Sequence, residues 1–335
     1  MSIQQRATLD DVARLAHVSP KTVSRVFAQP ELVSSATSER VLSAAKRLRF
    51  RPNSLARNLR GGASTTVGLI IGEMLNPFYS MVATGVEKVL AQHGKTLIVA
   101  TTDDTPEGEE RVADTLLSQR VAALLMIPVG SDQSYLEGER QLGSPVIAID
   151  RPARNLVADS VVIENENGAY LAASALIKHG HHKIAYLCNP SDVYTQTERV
   201  AGYRRAMAEL GVQVPTQWEK LIDDPAIAPE VLVEQLLRSP NPPTAIIAGN
   251  NRMCVGAVRA LHGVQNRPAL IGIDDFDTAD ILGISVISHD AILMGQKAAE
   301  LTLQRIEDPT GFTRQIVLPT ELIQRGSGER PPHQA

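Results

Sequence analysis

From Thr66 onward the chain alternates short apolar runs with segments of helical period, and it does so in two consecutive series. Strand-length runs fall at 67–71, 96–100, 123–127 and 146–149, then at 161–163, 184–187, 245–248 and 270–273, with amphipathic stretches such as 82–92 and 169–179 between them. Short apolar strands separated by helices imply parallel sheets covered on both faces. Two series imply two lobes, with a ligand at the C-terminal ends of the strands, between them. A chain of 335 residues, 43% hydrophobic and 21% charged, has material for two such cores and one small module besides.

The residues at those strand ends are polar or aromatic. The first strand leads into Asn76-Pro77-Phe78-Tyr79, and later ones end at Asp103, Asp150-Arg151, Asn250-Asn251 and Asp274-Asp275. Carboxylates and amides take paired sugar hydroxyls, arginine donates in a fork, and an aromatic ring covers an apolar sugar face. Each residue alone reads as a cap or a loop. Their recurrence at strand ends points to a sugar-like ligand.

The first 62 residues are different. They hold 11 Lys and Arg against 4 Asp and Glu, while the remainder holds 22 basic and 33 acidic residues. A cationic head on an anionic body implies that the head meets a polyanion. Thr8 precedes two acids, and Leu9, Val12, Ala13 and Ala16 follow at helical spacing. After the turn His17-Val18 comes Ser19-Pro20, a side-chain cap and a proline at the first helical position. The second helix turns Val23, Val26 and Phe27 inward and leaves Lys21, Ser24 and Arg25 outward. That is a helix-turn-helix, whose second helix enters the major groove. A third helix, expected over 38–50, supplies Val41, Leu42, Ala45 and Leu48 to the small core, with Lys46, Arg47 and Arg49 for phosphates. The segment 53–60 is too short to be a stable helix alone, and Gly61-Gly62 follows as a joint.

Residues 8–60, TLDDVARLAHVSPKTVSRVF and then VSSATSERVLSAAKRLRFRPNSLARNLR, resemble the headpiece of the lactose-repressor (LacI/GalR) family. The likeness extends through GLIIGEMLNPFYS, SPVIAIDR, HGHHKIAYLCNP, ERVAGYRRAM, PTAIIAGNN, IGIDDF and VLPTELIQRGS, in the family's order. The fold implied is an all-α helix-turn-helix headpiece followed by an α/β, two-lobed, periplasmic-binding-protein-like domain of parallel sheets flanked by helices. The divisions expected are 1–52 for the headpiece, 53–65 for the hinge helix and linker, 66–330 for effector binding and dimerisation, and a tail at 329–335. Within the body, 66–164 with 291–320 form the N-lobe and 165–290 with 321–328 the C-lobe.

By this resemblance Pro20, Lys21 and Arg25 occupy base-reading positions and Thr22 and Ser24 backbone-contacting ones, with Thr8, Ser19, Asn53 and Ala56 also at the DNA. Pro20 has no donor, so Lys21 and Arg25 carry most of the base readout. Leu59 matches the leucine that wedges open a central base step from the minor groove, with Arg57 and Arg60 beside it for phosphates. Without the headpiece, Leu59 reads as an ordinary linker leucine. In the body, likeness to ribose-type sugar-binding proteins assigns Asn76, Phe78, Tyr79, Asp150, Arg151, Thr195, Arg199, Asn250, Asp274 and His289 to the effector. The set points to ribose or a ribose-containing nucleoside more than to a hexose phosphate.

The resemblance implies a homodimer on a pseudo-palindromic operator, with no cofactor and no metal. Ligand closes the lobes, moves the dimer interface near the hinge and releases DNA; the family also contains the opposite sign, and the sequence does not choose. The last residues carry no leucine heptad, which favours a dimer over a tetramer. Several positions depart from the family pattern. His17 stands where glycine or asparagine is usual, and a left-handed backbone there strains histidine modestly. Glu164, Asn251 and Ala122 replace aspartates, and Ser288-His289-Asp290 replaces Arg-Gln-Pro. His289 introduces the hypothesis that effector affinity varies with pH.

Rival readings fit less well. A sugar-active enzyme on the same fold leaves the basic head unexplained, and Asp274-Asp275 lacks a matching nucleophile or base. A transport-type binding protein needs export, and no secretory signal or apolar span is seen, so a cytoplasmic protein is expected. No phosphate-binding glycine fingerprint appears. His179, His181 and His182 read as a solvent-exposed turn rather than a metal site, and Cys188 and Cys254 as buried small hydrophobes.

Overall fold

The computed structural model describes residues 7–51, 64–188, 193–212, 214–221 and 227–332. The chain divides into two compact units, 1–64 and 65–335. The hinge positions Asn53, Ala56, Arg57, Leu59 and Arg60 lie outside the described residues.

The first unit holds α1 (Leu9–Ala16), α2 (Pro20–Ala28) and α3 (Ser35–Arg47). The starts of α1 and α2 are written in the local sequence. The Thr8 hydroxyl accepts from Asp11 N while the Asp11 carboxylate accepts from Thr8 N, a reciprocal capping box. Ser19 caps α2 by accepting from Thr22 N at 3.1 Å, with Pro20 as its first residue. Between them His17 adopts φ 52°, ψ 49°, the strained left-handed conformation expected, and the turn is kept: Val18 N donates to Ala13 O at 3.0 Å. Val12, Ala13, Ala16, Val23, Val26, Val41, Ala44 and Ala45 form the core, with Phe27 tilted against Phe50.

Two details of α3 correct the expectation. It begins at Ser35 and ends at Arg47, where Arg49 turns left-handed (φ 51°) and Phe50 N donates back to Ala45 O. Leu42 is 50% exposed, because it is turned by about a hundred degrees from Val41, and Ala44 takes the inward place.

The second unit contains two six-stranded sheets of matching order. One is β11-β5-β4-β3-β1-β2 and the other β12-β10-β9-β8-β6-β7. The first comprises β1 (Thr66–Ile71), β2 (Thr96–Thr101), β3 (Leu124–Met126), β4 (Val146–Ile149), β5 (Asp159–Ile163) and β11 (Gln315–Leu318), all parallel. The second comprises β6 (Ile184–Cys188), β7 (Glu219–Leu221), β8 (Ala245–Ala248), β9 (Ala269–Ile273), β10 (Ser285–Ser288) and β12 (Glu321–Ile323). Only β12 runs antiparallel to its neighbour there. The chain passes between sheets three times, after Ile163, after Ser288 and after Leu318. The strands missing from the apolar series, β7, β10, β11 and β12, are short edge or near-edge strands with polar residues in their runs.

Helices α4 (Pro77–Gln92), α5 (Pro106–Ser118), α6 (Glu137–Gln141), α7 (Asn165–Lys178), α8 (Tyr194–Glu209), α9 (Pro229–Leu237), α10 (Asn251–Ala260) and α11 (Ala291–Glu307) complete the body. Val67, Leu69, Leu125, Ile147 and Val161 pack under α4 and α11 in the first lobe, and Ile184, Tyr186, Ile247 and Ile271 under α7 and α8 in the second. Close approach there needs glycine: a Cβ on Gly85 would lie 2.1 Å from Ile292 O, and one on Gly295 2.1 Å from Val82 O.

The histidine cluster differs from the exposed turn expected of it. His179 is half-buried and His182 exposed, but His181 is fully buried, bonded to Thr244 Oγ1 at 2.9 Å and to Arg330 O at 2.7 Å. The Glu329 carboxylate accepts from Ser285 Oγ and from Gly326 N, and Ser327 is buried. Residues 326–330 are thereby fastened to the second lobe.

Candidate functional site

In the first unit the candidate DNA-reading residues share the start of α2. Pro20, Lys21 and Arg25 are exposed and Thr22 and Ser24 half-buried, since Val23 and Val26 take the inward positions of the same helix. Ser19 and Thr22 are partly occupied with each other, their hydroxyls 2.9 Å apart, and Thr8 caps α1. No acid lies in the first turn of α2, so its positive end faces outward unopposed.

In the second unit the strand ends converge. Arg199 lies on α8 with its side chain 4% exposed. Its Nε donates to Asn165 Oδ1 at 2.7 Å, one terminal nitrogen donates to Gly249 O at 2.7 Å, and the other reaches Asp274 Oδ1 at 3.4 Å. Burial opposes its charge, but Asp274, with help from Asp150 in the other lobe, holds the guanidinium pKa above its ordinary value. Asp274 also lies 3.6 Å from His289 Nδ1, and the His289 ring meets Phe78 of α4 edge-on at 5.7 Å between centroids. One continuous path thus joins α8, β9, the second crossover and α4.

The first lobe contributes acids and aromatics. Asp150 is buried just beyond β4, and Arg151 Nε donates to it at 3.3 Å. Tyr79 is buried beside Phe78; desolvation first, then the charge of Asp104, pushes its phenol pKa far up. Asp104 itself is raised by burial, against the opposing pull of Arg151 and Arg252. A Cβ on Gly72 would lie 1.9 Å from an Asp104 oxygen and 3.0 Å from the Tyr79 hydroxyl, so a larger residue there would displace the Asp104 carboxylate.

Asn76 and Asn250 have a second occupation. Asn76 caps α4, its Oδ1 accepting from Phe78 N, and the same oxygen accepts from Asn251 Nδ2 at 2.9 Å across the lobes. Asn250 caps α10 by accepting from Met253 N at 2.9 Å. Each side-chain amide nitrogen remains the donor for a ligand. Thr195 is buried in the first turn of α8, next to Gln196, whose Nε2 donates to Gly249 O. Beside the Asn76–Asn251 bond, Arg252 reaches Glu73 at 3.3 Å.

Four participants were not among the assigned residues: Asn165, Gln196, Asn251 and Asp104. Asn251 stands out in the sequence as a strand-end amide and as a departure from an aspartate. Asn165 carries a usable signal, because it opens a helix directly after an apolar strand, yet its side chain serves Arg199 rather than the cap. Cys254, under β9, has its thiol pushed up to about 12 by burial and is inert. Among the described residues no group of three or more His, Cys, Asp or Glu is placed to hold a metal ion.

The arrangement defines a class: a buried set of acids, amides, arginines and aromatics at the ends of two parallel sheets, carried with a helix-turn-helix whose basic start is exposed. Residues 8–53 match the lacI family of bacterial regulatory proteins, and residues 64–326 match the periplasmic binding proteins and sugar binding domain of the LacI family. The chain belongs to the LacI family of bacterial regulators.

It is 32% identical to the ribose operon repressor of Escherichia coli, over 96% of this chain and 99% of that protein. It is 30% identical to the HTH-type transcriptional repressor PurR of Photobacterium profundum, over 96% of this chain and 98% of that one. Among solved structures, a lac repressor dimer bound to operator and the anti-inducer ONPF superposes with a TM-score of 0.84 at 26% identity, covering 97% of this chain and 100% of that chain. No described helix is long and apolar enough to cross a membrane.

Proposed function

We propose that this protein is a homodimeric transcriptional repressor that binds a pseudo-palindromic operator through α2 and releases it when ribose, or a ribose-containing nucleoside, binds between the lobes. The observation that carries the effector reading is Arg199, buried and held in three directions by Asn165, Gly249 O and Asp274. Such a fork is fixed before the ligand arrives, and preorganisation lowers the cost of binding. Asp150 and Asp274 accept from vicinal hydroxyls, Arg151 and the Asn76 and Asn250 amides donate, and Phe78 and Tyr79 cover the apolar ring face. The acids of the cleft stand beside Arg151, Arg199 and Arg252, a balance that suits a neutral polyol better than a phosphate.

Lys21 and Arg25 read guanine edges, and Asn53, Ala56, Arg57, Leu59 and Arg60 form the minor-groove hinge. The protein acts as a cytoplasmic sensor without turnover. In support, the cleft carboxylates are engaged by arginines, and the relatives are named as repressors.

A thermal-shift screen of pentoses, hexoses, sugar phosphates and nucleosides tests the effector. A ligand at about a hundred times its Kd adds about 2.7 kcal/mol of stability. Ribose or uridine should raise the melting temperature and lower operator affinity in the same concentration range. A shift only with sugar phosphates rejects the neutral-pentose reading and leaves the repressor reading in place.

A further inference from the structure

Arg151 and Arg199 are placed by different means. Arg199 is held through its side chain, by Asn165, Gly249 O and Asp274. Arg151 bonds its own neighbour Asp150, at 3.3 Å, and stands in a segment, 151–158, that is neither helix nor strand. Its place in the cleft therefore depends on what fixes that backbone.

Gln133 fixes it. The Gln133 N–H donates to Arg154 O at 2.9 Å, and its side-chain Oε1 accepts from Arg154 N at 2.8 Å. One residue thus supplies both bonds that a partner on a neighbouring strand would exchange. Asp132 Oδ1 accepts a further bond from Asn155 Nδ2 at 3.2 Å, where the backbone turns left-handed (φ 57°). The two segments lie side by side because β3 and β4, which they follow, are parallel neighbours.

The Gln133 amide is in turn oriented by Glu109, in the first turn of α5, and both side chains belong to buried residues. One Glu109 oxygen accepts from Gln133 Nε2 and from Tyr135 OH, each at 3.0 Å. The other accepts from Val129 N and, at 3.3 Å, from Gly130 N. Gln133 Nε2 directs its second hydrogen to Gly130 O at 2.9 Å. Only a carboxamide can accept from Arg154 while donating to Glu109 and Gly130. Burying a carboxylate is costly, and here the donors that offset the cost all come from residues 129–135, so helix and loop hold one arrangement.

We propose that Glu109 and Gln133 are positioning residues for the effector. Through Arg154 they fix the 150–155 backbone, so that Asp150 and Arg151 face the cleft before the ligand arrives. The inference rests on the assignment of Asp150 and Arg151 to the effector. Preorganisation through a buried relay lowers the ordering cost of binding, and loosening the relay raises that cost without removing any group that contacts the ligand.

Gln133→Met keeps a side chain of similar length and removes the amide. In the full chain, free of ligand, hydrogen exchange over 150–158 should quicken about tenfold or more in this variant, with no change in the second lobe. Ribose affinity, measured by calorimetry, should fall about tenfold. In an Arg151→Ala background the same substitution should cost about threefold or less, because one of the groups it positions is gone, whereas a packing defect alone costs the same in both backgrounds. If Gln133→Met does not fold, Glu109→Gln, which turns an amide donor toward Gln133 Nε2 or Tyr135 OH, serves in its place with the same outcomes expected. Unchanged exchange over 150–158, unchanged ribose affinity, or equal losses in the two backgrounds overturns the proposal. If the wild type binds neither ribose nor uridine, the effector assignment fails, and the exchange result alone decides whether Glu109 and Gln133 fix the segment.

Discussion

Asp150 and Asp274 occupy equivalent places in the two lobes: each follows the third strand from its sheet edge, with φ 67° and φ 69°. Each donates its N–H at 2.9 Å to the neighbouring strand, to Val161 O and to Ile287 O. The left-handed backbone aims both carboxylates out of the ladder and beyond the strand ends, where a ligand can use them. Aspartate and asparagine tolerate that conformation better than most residues.

The two aspartates should nevertheless differ on removal. Asp274 faces an arginine that is 4% exposed, while the arginine beside Asp150 is 19% exposed. Asp274→Ala should therefore lower the stability of the second lobe by about 2–3 kcal/mol, and Asp150→Ala by about 1 kcal/mol. Trp218, the only tryptophan and buried in that lobe, reports its unfolding in denaturant. Equal losses would show that Arg199 does not depend on Asp274.

Effector and operator functions should separate by residue. Arg199→Lys keeps the charge but loses the fork, and should reduce effector affinity by about a hundredfold with operator affinity nearly unchanged. Arg25→Ala should weaken specific operator binding by about 1–3 kcal/mol and leave the effector-induced thermal shift intact. Fluorescence anisotropy with labelled operator, with and without effector, measures both.

The bond from Asn251 to Asn76 ties the two lobes together beside the cleft. Its loss in Asn251→Ala removes about 1 kcal/mol from the closed arrangement, and effector should then dissociate about fivefold faster, as stopped-flow competition would record. Arg252→Ala, whose ion pair with Glu73 is exposed, should change the rate much less.

Acid should act through Asp275. The Arg325 guanidinium, joined by the Phe276 N–H, holds its carboxyl below the ordinary carboxylate range. A folded-state pKa lowered in this way adds stability above the unfolded value, and that stability is lost as pH falls through the folded one. Asp275→Asn should lower the melting temperature at about pH 7 and match the wild type near about pH 2. A difference that persists undiminished at low pH would assign the loss to packing instead of charge.

Neighbours a few residues apart write much of this protein directly into its sequence. Thr8 with Asp11, and Ser19 with Pro20, set the helix starts of the headpiece, and the apolar runs set the central strands of both sheets. Those strands are buried on both faces, so burial alone writes their composition. The acids and amides beyond the strand ends were legible for the same reason, because a strand stops where polar residues begin.

Which of these groups meet was settled by the assembled fold. Arg199 finds partners 34, 50 and 75 residues away, and Asn251 one that is 175 residues away. No periodicity encodes such distances. The edge strands β7, β11 and β12 were equally hidden, since their mixed composition becomes a strand only beside a formed neighbour. His181 was misread because a histidine after a helix is ordinarily solvated. Here it fills the space beneath Arg330, and its two hydrogen bonds exist only once the end of the chain has folded back onto the second lobe.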